Sequence, residues 1–270
     1  MTICIAAVCR TDPEPGIVLC TDGKSGNVLG SHEEVLKDRD MPCGWRCLTS
    51  GSDDEIYGLL PLFRREIGKL VPLIDETNIK PAIEESLRAR KAQKADAYTM
   101  TKWGLSFEQF RRARNDFPES EFRTDMETIG RDMINADCLL AGFLSDGAPM
   151  LLQAHGTFGV AIRENYAVAG SGSELAQSVM QHREYYESAS ITEALYKVYE
   201  AKRYAERVAT VGKRTFLSVI KVGEPIRAVS DQGYAYLTTQ FERFGPQPIT
   251  LHSIHFQPQH FFDIPGTENL

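Results

Sequence analysis

Short apolar runs rich in β-branched residues alternate along this chain with longer stretches at helical spacing. Residues 2–9 read Thr-Ile-Cys-Ile-Ala-Ala-Val-Cys and Ile17–Thr21 reads Ile-Val-Leu-Cys-Thr, so both predict strands. Asp12-Pro13-Glu14-Pro15-Gly16 between them is a strong turn signal. Trp45–Ser50 predicts a third strand, stopped by Gly51. Ser52-Asp53-Asp54-Glu55 follows, and a Ser with a Glu three positions on is the capping-box pattern of a helix start. Ile56, Leu59, Leu60, Phe63, Ile67 and Leu70 then recur at helical spacing, with Pro61 expected to kink or offset the helix.

Residues 79–135 are polar and mostly helical in character. Pro81 suits the first turn of a helix running to about Lys94, on which Arg88, Arg90, Lys91 and Lys94 form a basic face read as solvated surface. Ser106 can cap a further short helix through Arg114. Strands return at Cys138–Leu144 and Met150–Ala154, joined by Ser145-Asp146-Gly147-Ala148-Pro149, a hairpin signal. Tyr166–Ala169 predicts a strand ending in Gly170-Ser171-Gly172-Ser173, and a helix follows from Glu174 to about Tyr185. Ser190 and Glu193 form a second capping-box pattern. It opens a helix with Ala194, Leu195, Val198, Tyr199, Ala205 and Val208 on one face. Thr215–Ile220 predicts another strand. Strands, helices, strands, helices and strands in that order give an α+β architecture, with antiparallel sheets covered by helices.

Composition narrows the classes without naming one. The 270 residues are 42% hydrophobic and 25% charged, enough for a large core without staples. Lys plus Arg is 30 and Asp plus Glu is 37, so the net charge is −7, and the pI near 5.5 argues against a nucleic-acid partner. No apolar run approaches the roughly 18–20 residues of a membrane helix. The opening apolar run has no basic residue before it and does not read as a secretory signal. Six cysteines, most in strand-like runs, fit buried thiols in a reducing cytoplasm. Cys43 and Cys47 lack a second Cys or His pair at zinc spacing. His252, His255 and His260 stand beside Phe256, Phe261 and Phe262 and read as an aromatic tail packing on a surface. No metal or cofactor is therefore expected.

The candidate chemistry begins at Thr2. Once Met1 is removed, this residue carries a hydroxyl nucleophile and a base together. Its α-amine, with a reference pKa of roughly 7.7–8.0, can take the hydroxyl proton. Read alone, other polar residues of interest have structural uses. Asp22 can cap the turn into Gly23, Lys37 can pair with Glu33 on a helical surface, Gly51 can end a strand, and Ser171 can satisfy loop backbone.

In this order, however, the motifs resemble the proteasome β-subunit family of N-terminal-nucleophile hydrolases, in its bacterial proteasome-like branch. The matching pieces are Thr2-Ile-Cys-Ile-Ala; Ile17-Val-Leu-Cys-Thr-Asp22-Gly-Lys24; Lys37; Leu48-Thr-Ser-Gly51-Ser, with 14 positions from Lys37 to Gly51; Gly142-Phe-Leu-Ser-Asp-Gly; and Ala167-Val-Ala-Gly-Ser171-Gly-Ser-Glu-Leu-Ala. The last is the most specific, a Gly-Ser-Gly-Ser that opens a helix after a strand. The resemblance covers most of residues 2–75 and 138–222.

It implies a four-layer αββα sandwich of two antiparallel sheets flanked by helices. One proteasome-like domain would span 1–245, with a helical elaboration at about 79–135 and a C-terminal tail at 246–270. It also implies a threonine-type hydrolase of peptide bonds. Thr2 would be nucleophile and base, Asp22 and Lys37 a buried charged pair beside it, Gly51 N–H a donor to the oxyanion, and Ser171 a hydrogen-bond partner of the amine. The expected setting is a cytoplasmic homo-oligomeric ring or stacked assembly acting on peptide or protein substrates, with an ATPase unfoldase as an open question.

The chain departs from the family in two places. No glycine precedes Thr2, so methionine aminopeptidase rather than autocleavage would free it. The Asp and Ser that the family places before the strand at Thr215 are missing, and Glu206 or Thr210 could stand in. Two other readings stay open: a non-catalytic subunit of the same fold, and an amidase acting on a small molecule.

Overall fold

A computed structural model describes residues 2–10, 15–23, 25–27, 30–32, 37–131 and 134–245. The turn at 12–14, Lys24, Glu33 and the tail 246–270 with its histidines lie outside the described residues. The chain runs β1 (Cys4–Cys9), β2 (Gly16–Asp22), β3 (Ser25–Asn27), β4 (Gly30–His32), β5 (Asp38–Asp40), β6 (Arg46–Gly51), α1 (Asp53–Lys69), α2 (Glu76–Trp103), α3 (Phe107–Arg112) and α4 (Glu119–Arg131). It continues through β7 (Ala136–Phe143), β8 (Pro149–His155), β9 (Gly159–Arg163), β10 (Tyr166–Ala169), α5 (Ser173–His182), α6 (Ile191–Ala205), β11 (Thr215–Lys221), β12 (Arg227–Ala228) and α7 (Asp231–Phe244).

The strands form two five-stranded antiparallel sheets, ordered β10-β1-β2-β11-β12 and β5-β6-β7-β8-β9, with β3 and β4 paired as a separate hairpin. The uninterrupted apolar sequence of β1 follows from its position, because both of its faces are covered. Ile3, Ile5, Ala7 and Cys9 meet the face of α5 and α6, where Ala176, Met180, Ala194 and Val198 pack. The alternate residues Cys4, Ala6 and Val8 face the second sheet, meeting Leu48, Leu139, Ala141 and Leu151. On the far side of that sheet, Trp45, Cys47, Cys138, Leu140 and Leu152 pack under Leu59, Phe63 and Ile67 of α1 and Ile79 and Ile83 of α2. Three apolar layers thus separate four structural layers, αββα, as the family resemblance implies. The central layer mixes small residues (Cys4, Ala6, Ala141) with Leu and Ile, all buried, and an extra methylene there would cost about 1–3 kcal/mol.

Several boundaries differ from the sequence reading. The helix expected to start at Pro81 begins at Glu76, because Asp75 accepts hydrogen bonds from the backbone N–H groups of Thr77 and Asn78, both at 2.9 Å. Asn78 Oδ1 answers by accepting from the N–H of Asp75 at 3.0 Å, so a full capping box sits upstream of the proline. Ser52 holds the cap position of α1, but its side chain makes no capping bond; its N–H donates to Asn135 O at 2.8 Å instead. Glu55, expected to close that box, binds Arg90 at 3.0 Å and also Lys94. Arg90 and Lys94 are therefore the ion-paired seam of α1 and α2 rather than part of a solvated face. Ser106 and Gln109 form the capping box of α3. The sequence reading missed the short strands β3, β4, β5 and β12 as well as β9 and α7. Among the described residues, no helix is long and apolar enough to cross a membrane.

Candidate functional site

The β1–β2 register builds the centre of the site. Cys4 pairs with Thr21, so the next step of the ladder sets Ile3 beside Asp22, and Asp22 N–H donates to Ile3 O at 3.2 Å. Thr2, just before β1, therefore lies against the last residue of β2. Its hydroxyl donates to Asp22 Oδ1. Lys37 arrives from the other sheet. Thr49 of β6 pins the Lys37 carbonyl with its N–H at 3.0 Å and its hydroxyl at 3.2 Å. The Lys37 ammonium then reaches across, donating to Thr2 Oγ1 and, at 2.7 Å, to Asp22 Oδ1.

Asp22 is wholly buried, and burying a carboxylate is tolerable only with its lone pairs occupied. Here Oδ1 receives Thr2 Oγ1, the Ile3 N–H at 3.0 Å and Lys37, while Oδ2 receives the Gly212 N–H at 2.7 Å. Thr2 is 2% exposed and Lys37 7% exposed, so the triad sits in a low-dielectric setting that strengthens each of these bonds. Burial also pushes the nearby Cys4 thiol well up, with Lys37 pulling the other way, and Cys4 donates to Thr49 O at 3.4 Å. Cys20 is likewise pushed up to about 12 by burial. Both thiols therefore stay protonated at neutral pH.

The loop after β10 forms the second wall. Gly170 takes a φ of +100°, and a β-carbon there would stand 2.2 Å from Thr2 O. Only glycine allows the chain to close over Thr2. Ser171 Oγ donates to Thr2 O at 3.4 Å and shares a 2.8 Å hydrogen bond with Thr210 Oγ1. Gly51 ends β6 with a φ of +122°, and a β-carbon there would meet Asn135 O at 2.4 Å. Its lack of a side chain is thus required by the chain entering β7.

The structure brings Thr2, Asp22 and Lys37 into direct contact and sets Ser171 on the backbone of Thr2. For Gly51 it gives a position at the end of β6 and no bond to Thr2. Of the two stand-ins, Thr210 reaches Ser171, whereas Glu206 turns away to Lys202 at 2.5 Å and Arg203 at 3.3 Å. Sequence reasoning missed Thr49, Gly170 and Gly212. A glycine before Ser171 and another before Lys213 were the available signals. Cys43 is exposed and Cys47 buried.

No family model matches the chain, and no curated protein matches its sequence. Among solved structures it is similar to the Gly-1 mutant of Anbu from Hyphomicrobium sp. strain MC1, with a TM-score of 0.61 and 12% identity over 90% of this chain and 94% of that one. Anbu is a bacterial protein of the proteasome-like, N-terminal-nucleophile hydrolase fold, and this chain has that fold.

Proposed function

We propose that the protein is a proteasome-like threonine hydrolase that cleaves amide bonds, in peptides or proteins, with Thr2 as its N-terminal residue after Met1 is removed. The observation that carries this reading is the buried Thr2–Asp22–Lys37 contact set. A hydroxyl held between an ammonium and a carboxylate is poorly explained by packing, because the two buried charges cost free energy that neighbouring apolar side chains would not.

The chemistry follows from those positions. The free α-amine of Thr2 takes the hydroxyl proton, and the oxygen attacks the substrate carbonyl. Lys37 stabilises the negative charge on the attacking oxygen, and Asp22 holds Lys37 in place. The N–H of Gly51 faces the developing oxyanion. Ser171, tied to Thr210 and bonded to the Thr2 carbonyl, relays the amine's proton to the leaving group. The acyl ester on Thr2 is then hydrolysed by water that the same amine activates. The chain assembles as a closed homo-oligomer, in keeping with its fold. Exposed aromatics such as Tyr57, Tyr236 and Phe244 support that, since aromatic residues are enriched at interfaces.

The test pairs intact mass with hydrolysis of a peptide-amide library. The purified protein should lack Met1, and Thr2→Ala should fold normally yet lose several orders of magnitude in rate. Activity retained in Thr2→Ala would remove the mechanism.

A further inference from the structure

Lys202, on the last turn of α6, is fully buried, yet no step above uses it. Its ammonium donates to Glu206 Oε1 at 2.5 Å and to the backbone carbonyl of Lys213 at 2.7 Å. The second bond matters most. Gly212, the preceding residue, gives its N–H to Asp22 Oδ2 at 2.7 Å. One dipeptide is thus held on both sides, by the carboxylate of the proposed site at its N–H and by a buried ammonium at its C=O. The same loop carries Thr210, which bonds Ser171. Beyond it, the Arg214 carbonyl accepts from Gly23 N–H at 3.3 Å and leads into β11.

We infer that Lys202 is a positioning residue of this site: it clamps the 206–213 loop so that Gly212 and Thr210 reach Asp22 and Ser171. The inference rests on the proposed hydrolase reading for its effect on rate, but not for its effect on structure. Physical chemistry favours a role beyond packing. A lysine ammonium with no exposed surface needs strong acceptors, and these two come from the helix end and from the loop it fastens. An apolar residue would fill the space under α6 more cheaply and leave the Lys213 carbonyl without its charged donor. The clamp also fits the departure noted in the sequence. This loop lacks the acid that the resemblance places before β11, and a cation from the helix beneath holds it instead.

Removing the ammonium need not unfold the chain. Glu206 keeps Arg203 at 3.3 Å, so its carboxylate does not become an unpaired buried charge. The experiment compares wild type, Lys202→Met, Lys202→Arg and Glu206→Gln by hydrogen–deuterium exchange over residues 209–214 and by steady-state kinetics. In Lys202→Met the Gly212 amide should exchange at least about tenfold faster, the effect of losing one hydrogen bond to a charged group, while β1 stays protected. kcat should fall with KM nearly unchanged, because the loop holds the catalytic groups. Lys202→Arg, which keeps a donor for both acceptors, should restore much of both. Glu206→Gln should leave Gly212 protected, since the ammonium still reaches Lys213, and this variant decides the matter if Lys202→Met does not fold.

Unchanged Gly212 exchange in a folded Lys202→Met protein would overturn the inference, and so would fast exchange in Glu206→Gln. Because exchange is read without substrate, an inactive wild type would sink the hydrolase reading while leaving the clamp to stand or fall on the exchange rates.

Discussion

Asp22 gathers hydrogen bonds from four donors, and those partners come from places far apart in the chain: residues 2, 3, 37 and 212. Thr2 stood out in the sequence as the residue behind Met1, whereas Asp22 and Lys37, each with a structural use when read alone, entered through the family resemblance. Gly212 was not legible, because the loop it occupies has no periodicity and its partner lies 190 positions away; Thr210 is one of the two stand-ins the sequence offers, but nothing local points to its partner Ser171, 39 positions away. The charge pairing predicts a large penalty for breaking it. Lys37→Ala leaves Asp22 as an uncompensated buried charge and should cost roughly 3–5 kcal/mol in chemical denaturation as well as nearly all activity. Wild-type stability with normal turnover in that variant would show that the ammonium is dispensable. The base sets the pH behaviour. In the proposed mechanism the amine of Thr2 works only when neutral, and the nearby Lys37 charge favours that form, so the rate should climb with pH and level off at or below about 7.7–8.0. A rate that falls over that range would point to a different base.

At the scale of elements, the helical elaboration has a core of its own. Trp103, Phe110, Phe117 and Phe122 pack ring against ring. Beside them buried Asp125 accepts from Tyr98 at 2.7 Å, Trp103 Nε1 at 2.8 Å and Lys102 at 2.5 Å. Burial pushes the Asp125 carboxyl up, but bonds from Lys102, Tyr98 and Trp103 outweigh it and hold the group below the usual aspartate range. A depressed carboxyl stabilises the fold above its unfolded value, near about 3.9, and that contribution is lost as the pH falls through the lower folded value. Asp125→Asn should therefore melt a few degrees lower at neutral pH, and the gap should close in strong acid. A gap that persists there would mean that shape, not charge, is responsible.

The same region shows what local pattern can and cannot give. The Ser106 cap is a sequence signal, and α3 starts there. The start of α2 was masked by Pro81, a better-known helix opener than the Asp75–Asn78 pair that does the capping. β9 is a five-residue strand behind a glycine, too short to show alternation, whereas α7 carries a usable cap at Ser230 and apolar positions at Tyr234, Leu237 and Phe241.

For the whole molecule, the order of strands and helices made the α+β class legible, while the four-layer arrangement came through the family resemblance. The two-sided burial of β1 and β2 fits their continuous apolar sequence, which a helix-covered parallel sheet would produce as well. What surface such a sandwich offers to a neighbour is a matter of tertiary assembly and left no comparable trace. Tyr236 at 60% and Phe244 at 56% exposure flank a cavity of about 480 Å³ between α6 and α7, lined also by Leu195, Tyr196, Val229 and Leu237. Light scattering at micromolar concentration should give a mass several times that of one chain. A monomer with full hydrolase activity would contradict the assembly.

The central claim is that Thr2, freed of Met1, is the group that attacks. Its most direct test is the mass of the tryptic N-terminal peptide after incubation with a peptide β-lactone, whose ring opens onto the attacking hydroxyl and leaves an ester. The predicted result is a peptide spanning Thr2–Arg10 that carries the acyl group on Thr2. A peptide that still begins at Met1, or an acyl group found on another residue with Thr2 unmodified, would contradict the account.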